Sequence, residues 1–415
     1  MRRTPLVPLL LLVSWLAGGG SSAAQAITYR GFVEAGTFVF PQNTVTDSRN
    51  LVLDALGRGE VFVRPMAWLQ LAGGVDLRAN SHDQVDGSWR PDITDRGRLR
   101  PRLSIRRLAV TLNRGPLTLD VGKQFIRWGK TDIVTPTDRF APRDFLNVID
   151  NEFLAVRGAR AVVELGSNTF DGVWVPFFTP SRLPLLDQRW TVAPGGVEID
   201  PVDDGQAVPH GSQAGIRWGH TGSGYEYSLS FFDGFNHLPA FEPTFPAVAV
   251  PPVLEITRRY PFLRMYGGDA AVPARWFTAK GEVAYFSSST LASDEYVLYV
   301  LQLERQTGEW LFVGGYAGEV VTARRAVLSF APDRGTSRSI VGRASYTIDT
   351  NRSVALEGAV RQNGRGLYAK GEYSQARGGH WRMSVSGALI RGEPDDFLGQ
   401  YRLNSHVTLA IRYSF

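Results

Sequence analysis

The chain closes on HVTLAIRYSF, residues 406–415. Successive side chains of a β-strand point to opposite faces. Val407, Leu409, Ile411, Tyr413 and Phe415 therefore share one face, and His406, Thr408, Ala410, Arg412 and Ser414 share the other. A frayed tail gains little from a terminal Phe. Such an ending leaves two readings: an edge strand that shows a greasy face to water, or a sheet whose outside is not water.

The same two-residue period recurs upstream in YEYSLSFF (225–232), SIVGRASYTI (339–348), SVALEGAV (353–360), LYAKGEYS (367–374) and WRMSVSGAL (381–389). In each segment one face is apolar or Gly and the other carries charge or hydroxyl, over about ten residues, the length of a tilted membrane strand. The links between segments also alternate. Tight links fall at Arg64-Pro65, Arg114-Gly115-Pro116, Gly166-Ser167-Asn168, near Gly222, and at Val272-Pro273, Thr307-Gly308, Thr350-Asn351 and Gly378-Gly379. Long polar or Pro-rich links fall at 41–56, 79–100, 127–156, 178–210, 234–256, 287–294, 321–336 and 391–400, with one short link near Gly364. The expectation is an all-β, transmembrane antiparallel β-barrel of about 18 strands (16–18), with short periplasmic turns, long extracellular loops and both termini on the short-turn side. A phase change at Arg106-Arg107 reads as a bulge.

A soluble sandwich or propeller also has many short strands. No shared repeat of a propeller is present, and a sandwich predicts no alternation of short and long links. Tyr29, Phe38, Phe40, Trp276, Tyr285, Trp310, Trp381 and Tyr413 near strand ends suit an interfacial aromatic girdle. No later segment approaches the about 18 apolar residues of a membrane helix, and the absence of Cys leaves packing and hydrogen bonding to hold the fold.

At the start, Arg2-Arg3, the apolar run PLVPLLLLVSWLAGG and the A-x-A arrangement at Ala24 and Ala26 read as a secretory signal over residues 1–26. The barrel is expected to occupy 27–415, exported by the general secretory route. Without that leader the chain holds 43 basic and 40 acidic residues, a charge of +3 that gives no argument for a nucleic-acid partner.

The terminal RYSF resembles the C-terminal signature of bacterial outer-membrane β-barrels, and the layout resembles the porin class. That resemblance implies the outer membrane of a Gram-negative cell, contact with its lipid and lipopolysaccharide, and Phe415 as the label read by the barrel-assembly machinery. It leaves monomer and homotrimer both open. Residues 122–145, GKQFIRWGKTDIVTPTDRFAPRDF, are similar to an uncharacterised porin-like outer-membrane family with G-R-Q, W-G and N-P-x-D motifs. The matching positions are Gly122, Gln124, Trp128, Gly129, Pro136 and Asp138, with Lys123 in place of Arg and Thr135 in place of Asn.

Within the link 127–156, Arg127, Lys130, Arg139 and Arg143 balance Asp132, Asp138, Asp144 and Asp150. Long ordered loops are commonly functional. Folded into the lumen, this one would form either a charged constriction that selects solutes or a self-neutralised plug. The alternation assigns Arg217, Arg264, Lys280, Glu282, Arg343, Glu357, Arg361, Lys370, Glu372, Arg382 and Arg412 to the lumen. Eight of these are basic and three acidic, an excess that suggests mild anion preference.

VEIDPVDDG (197–205) does not match a calcium loop, and no metal or cofactor is implied. The apolar, Pro-rich AFEPTFPAVAVPPV (240–253) reads as a non-helical rim or lid loop. G-x-S-x-G, H-E-x-x-H and C-x-x-C are absent and the six His are scattered, which argues against an enzyme. The function expected is a porin-like channel for passive or weakly selective diffusion of small solutes. The competing readings are a ligand-specific uptake or efflux barrel for an apolar or aromatic compound, and a closed structural or partner-binding barrel.

Overall fold

The computed structural model describes residues 26–191, 201–244, 254–290, 293–325 and 331–415. Residues 1–25 of the expected leader, 197–200 of the 197–205 stretch and 245–253 of the 240–253 stretch lie outside these residues.

Eighteen strands form one antiparallel sheet. In chain order they are β1 (Ala26–Val39), β2 (Leu51–Met66), β3 (Leu69–Asn80), β4 (Leu103–Arg114), β5 (Leu117–Gln124) and β6 (Val156–Leu165). The series continues with β7 (Asn168–Phe177), β8 (Gln213–Gly222), β9 (Tyr225–Phe235), β10 (Phe262–Pro273), β11 (Thr278–Ser287) and β12 (Glu295–Thr307). It ends with β13 (Trp310–Ala323), β14 (Ser339–Asp349), β15 (Arg352–Arg361), β16 (Gly366–Arg377), β17 (Trp381–Gly392) and β18 (His406–Ser414). Each strand pairs with the next, and β18 pairs with β1 from Val39↔Val407 to Phe32↔Ser414, so the sheet closes as a barrel without an edge. Two 3.0 Å backbone bonds between Gly31 and Phe415 complete the seam. The Phe415 ring lies over Gly31, where a Cβ would come within 2.6 Å of the ring carbons.

The links alternate as the sequence implies. Turns of two to four residues join the strands at one end, helped by Gly166 and Gly308 at φ of 61° and 55°. The other end carries links 40–50, 81–102, 125–155, 178–212, 236–261, 288–294, 324–338 and 393–405, with 362–365 short. The bulge is also where the sequence places it: Gly74 pairs with Arg107 and Val75 with Ile105, leaving Arg106 as the extra residue. Within the long links, Pro201–Ala207, Ala240–Thr244 and Leu254–Arg259 form a small separate sheet, so part of the 240–253 stretch is strand rather than loop.

Large apolar side chains cover the outside all the way round, among them Ile216, Leu301, Ile340 and Leu356, each at least 60% exposed. A continuous apolar surface of this extent is untenable in water and suits lipid. Trp310 with Phe312 and Tyr346, and Trp381 with Tyr413, cluster at the short-turn end as a girdle. Phe38 and Phe40 do not belong to it. They point inward and join Val52, Trp190, Ile390 and Tyr401 in an apolar cluster that ties β1 to the long links.

Candidate functional site: the segment inside the barrel

The link 125–155 turns into the barrel, because inward side chains of strands on both walls satisfy its polar groups. Its first arm runs down the β7–β13 wall. Trp128 donates through Nε1 to Asp171 on β7 at 2.9 Å. The Lys130 ammonium meets Glu226 at the short-turn end of β9 at 2.5 Å. The Asp132 N–H donates to Gln302 at 2.8 Å, and its carboxylate takes Lys280 at 3.0 Å.

Glu282 on β11 is the anchor of this arm. One carboxylate oxygen accepts the N–H groups of Lys130 (2.9 Å) and Thr131 (3.1 Å) and the Thr131 hydroxyl (3.0 Å). The other accepts the N–H and the hydroxyl of Thr137, both at 2.8 Å. The turn between these contacts is held from within. Asp138 accepts from the backbone N–H groups of Trp128 and Gly129 at 2.5 and 2.7 Å and pairs with Arg127 at 3.1 Å. Below it, Trp128 and Phe140 stack edge-to-face at 5.1 Å, and Phe140 meets Phe232 at 5.0 Å. With Ile126 they bury the inward faces of Met265, Ala284 and Phe286.

Room for the arm comes from wall positions that lack a side chain. A Cβ on Gly215 would strike Trp128 and Phe140, one on Gly267 would strike Thr137, and one on Gly315 would strike Ile133.

The return arm crosses to the opposite wall as a short hairpin, Arg143–Asp144 against Glu152–Phe153. Buried Asp144 accepts from Arg100 at 2.9 and 3.1 Å and from Arg182 at 3.2 Å. Burial would raise its pKa, but the two guanidiniums outweigh burial and hold it well below the carboxylate range. Glu152 meets Arg78 on β3 at 2.6 Å and Arg58 on β2 at 3.5 Å. Asp150 meets Lys370 on β16 at 2.6 Å and faces His406 of β18 at 3.9 Å. Burial pushes Asp150 up, and His406 and Lys370 together bring it down to about 2. The segment therefore spans the lumen between two walls.

Between the arms, the guanidiniums of Arg127 and Arg143 lie over the Phe153 ring, at 4.1 and 4.2 Å from its centroid. Arg143 donates to Asn151 at 2.9 Å and has no carboxylate within ion-pair distance among the described residues. Burial pushes its pKa down to about 10. Arg139 reaches Asp333 in the link after β13 at 3.3 Å.

Of the inward charges read from the alternation, Arg217 bonds to Asp269 at 2.9 Å and Lys280 to Glu304 at 2.7 Å. Arg361 meets Asp396 at 2.9 Å, and Arg412 meets Glu34 at 2.6 Å. Arg343 stands opposite Glu357 with 3.9 Å between their charged atoms. The inward charges of β14 to β18 include exposed Arg343, Glu372 and Arg382, which mark where the lumen stays open.

Arg264 is a correction. It lies on the outer face with Tyr266 and pairs there with Asp233 at 2.7 Å, because the inward positions beside it are Leu263 and Met265 under the first arm. The sequence also misses inward acids: Glu226, Asp269, Glu304 and Glu319. With these included, the basic excess on this wall is gone. Arg58, Asp76 and Arg78 were also missed, although Asp76 and Arg78 follow the lumen-facing Gly74 at period-two spacing on β3 and Arg58 pairs across from Asp76.

No protein-family model matches the sequence, and no curated protein matches it. Solved structures do. One is a BenF-like porin from Pseudomonas fluorescens Pf-5, at 8% identity over 95% of this chain and 99% of that one, with a TM-score of 0.56. Acinetobacter baumannii OccAB4 matches at 9% identity, 94% and 99% coverage and a TM-score of 0.54. The outer membrane protein opdK from Pseudomonas aeruginosa matches at 10% identity, 94% and 99% coverage and a TM-score of 0.52. At such identities the likeness establishes the fold, an 18-stranded membrane barrel of the kind seen in outer-membrane porins.

Proposed function

We propose that the chain is an outer-membrane channel for the passive, weakly selective diffusion of small solutes, narrowed by the segment 125–155. One observation carries this reading: the segment is tied to both walls of a wide barrel, while charged inward residues of β14 to β18 remain exposed to solvent. A barrel of this strand number holds water unless it is filled. Ion pairs on the segment and wall mostly cancel, so charge selectivity is weak. The anion preference expected from the count of inward residues loses that support once Arg264 is outside and four more acids are inside. The remaining anion bias rests on Arg143 and Arg382, which lack a carboxylate partner among the described residues.

The same reading includes cleavage of the leader 1–26, recognition of Phe415 during assembly, and lipopolysaccharide around the long-loop rim. No enzymatic step is proposed. Liposome swelling with uncharged sugars of increasing size tests the channel. Entry of the smaller sugars with a sharp size limit is expected, and liposomes that do not swell in any sugar would overturn the reading.

A further inference from the structure

Inward-facing residues of four adjacent strands stand in rows fixed by register. One row is Ala410, Gly36, Asp54 and Asn80, across β18, β1, β2 and β3. Its first two members have almost no side chain, and a Cβ on Gly36 would meet nothing closer than 4.0 Å. The row therefore forms the floor of a hollow. Phe38 and Val52 form the next row toward the long-loop end, with Trp190 packed above them. Asp150 and Glu152 of the inward segment close the lumen side. The cavity, open on part of its surface, is about 220 Å³, space for a solute with the bulk of about seven waters.

The charges around the hollow are satisfied, with one exception. Glu34 holds Arg412 at 2.6 Å, Asp150 holds Lys370 at 2.6 Å, and Glu152 holds Arg78 at 2.6 Å. Arg100 is engaged by Asp144, and His82 by Asp47 at 2.7 Å. Asp54 alone has no ion-pair partner closer than Arg100, 3.9 Å away. A half-buried carboxylate in this position attracts a positive group that can donate to it. The neighbouring aromatic surface favours a cation carried on an apolar body.

We propose that this cavity binds a small organic cation, an ammonium group on an aromatic or short aliphatic body. The ammonium donates to Asp54, and the body lies over Gly36 and Ala410 against Phe38 and Trp190. This subsite rests on the channel reading, since the solute reaches it through the lumen, and it names one solute class the channel would retain.

Isothermal titration calorimetry of the detergent-solubilised barrel with 2-phenylethylammonium chloride tests the subsite without requiring conduction. Saturable binding is expected. Asp54→Asn should weaken it by about tenfold or more, the scale of one charge-assisted hydrogen bond. The uncharged isostere 2-phenylethanol, added to the unaltered barrel, should not bind. Equal binding of 2-phenylethanol, or equal affinity in Asp54→Asn, would overturn the proposal, and the first arm needs no variant to fold. A barrel that conducts without binding the amine loses the subsite alone. One that binds the amine but passes no solute loses the channel reading and keeps the subsite.

Discussion

Glu282→Gln should release the inward segment while leaving the barrel intact. The substitution keeps the size of the side chain and replaces one carboxylate oxygen with an amide nitrogen. If that nitrogen takes the Oε1 position, the N–H and hydroxyl of Thr137 lose their acceptor. If it takes Oε2, the N–H groups of Lys130 and Thr131 lose theirs. The Thr137 hydroxyl can turn to accept from the new amide, so the cheaper orientation strands one donor, the Thr137 N–H, in a site that is only 3% exposed, while the N–H groups of Lys130 and Thr131 keep an acceptor that no longer carries charge. The stranded donor costs about 2 kcal/mol and each of the two N–H bonds that loses the carboxylate charge costs about 1 kcal/mol, so the docked arm loses about 4 kcal/mol. That changes the ratio of docked to released segment by roughly a thousandfold. Single-channel recording should show a larger mean conductance and greater open-state noise than the unaltered barrel. Glu304→Gln is the control, since Glu304 pairs with Lys280 at 2.7 Å and touches no part of the segment. Traces of Glu282→Gln that match the unaltered barrel would refute the reasoning, because they would mean either that the arm does not hang on Glu282 or that it obstructs nothing.

Asp144→Asn leaves Arg100 and Arg182 buried without their shared carboxylate and should cost about 3–5 kcal/mol, read as a lower unfolding temperature. Arg143→Ala should move the reversal potential toward cation preference, because Arg143 has no carboxylate to cancel it; an unchanged potential would remove it from the constriction. The tie from Asp150 to Lys370 should persist in mild acid. Its folded pKa of about 2 lies below the ordinary 3.8, so its stabilisation is complete above that ordinary value and is lost only as pH falls toward about 2. Conductance should therefore be steady from pH 7 to 4.5 as far as this tie governs it, and a step within that window would contradict the assignment. Gly31→Val places a side chain where the Phe415 ring lies and should lower the yield of folded barrel, measured by heat-modifiable migration on a gel.

The outer wall was legible because lipid imposes one rule on every strand. HVTLAIRYSF, the short turns and the bulge at Arg106 follow from period-two alternation and link length alone. The inner wall was less legible because the alternation rule assumes a polar lumen. Where Trp128 and Phe140 fill the barrel, the inward positions Phe232, Leu263, Met265 and Phe286 are apolar too. Around FLRMY (262–266) both faces are then greasy, and Arg264 falls on the wrong side of the reading. Phe38 and Phe40 mislead in the same way, since they face Trp190 and His406 rather than lipid. The balanced charges of 127–156 were visible, but most of their partners lie outside the segment, from Arg100 and Arg182 for Asp144 to Lys280 on β11 for Asp132 and Lys370 on β16 for Asp150. Nothing local in the sequence marks Glu282 as the acceptor for Thr131 and Thr137.

Planar-bilayer recording of the purified, unaltered barrel tests the central claim most directly. The account predicts discrete, ohmic openings with weak ion selectivity, and larger openings once residues 128–140 are deleted. A barrel that inserts yet passes no current at any voltage, with or without that segment, would contradict it.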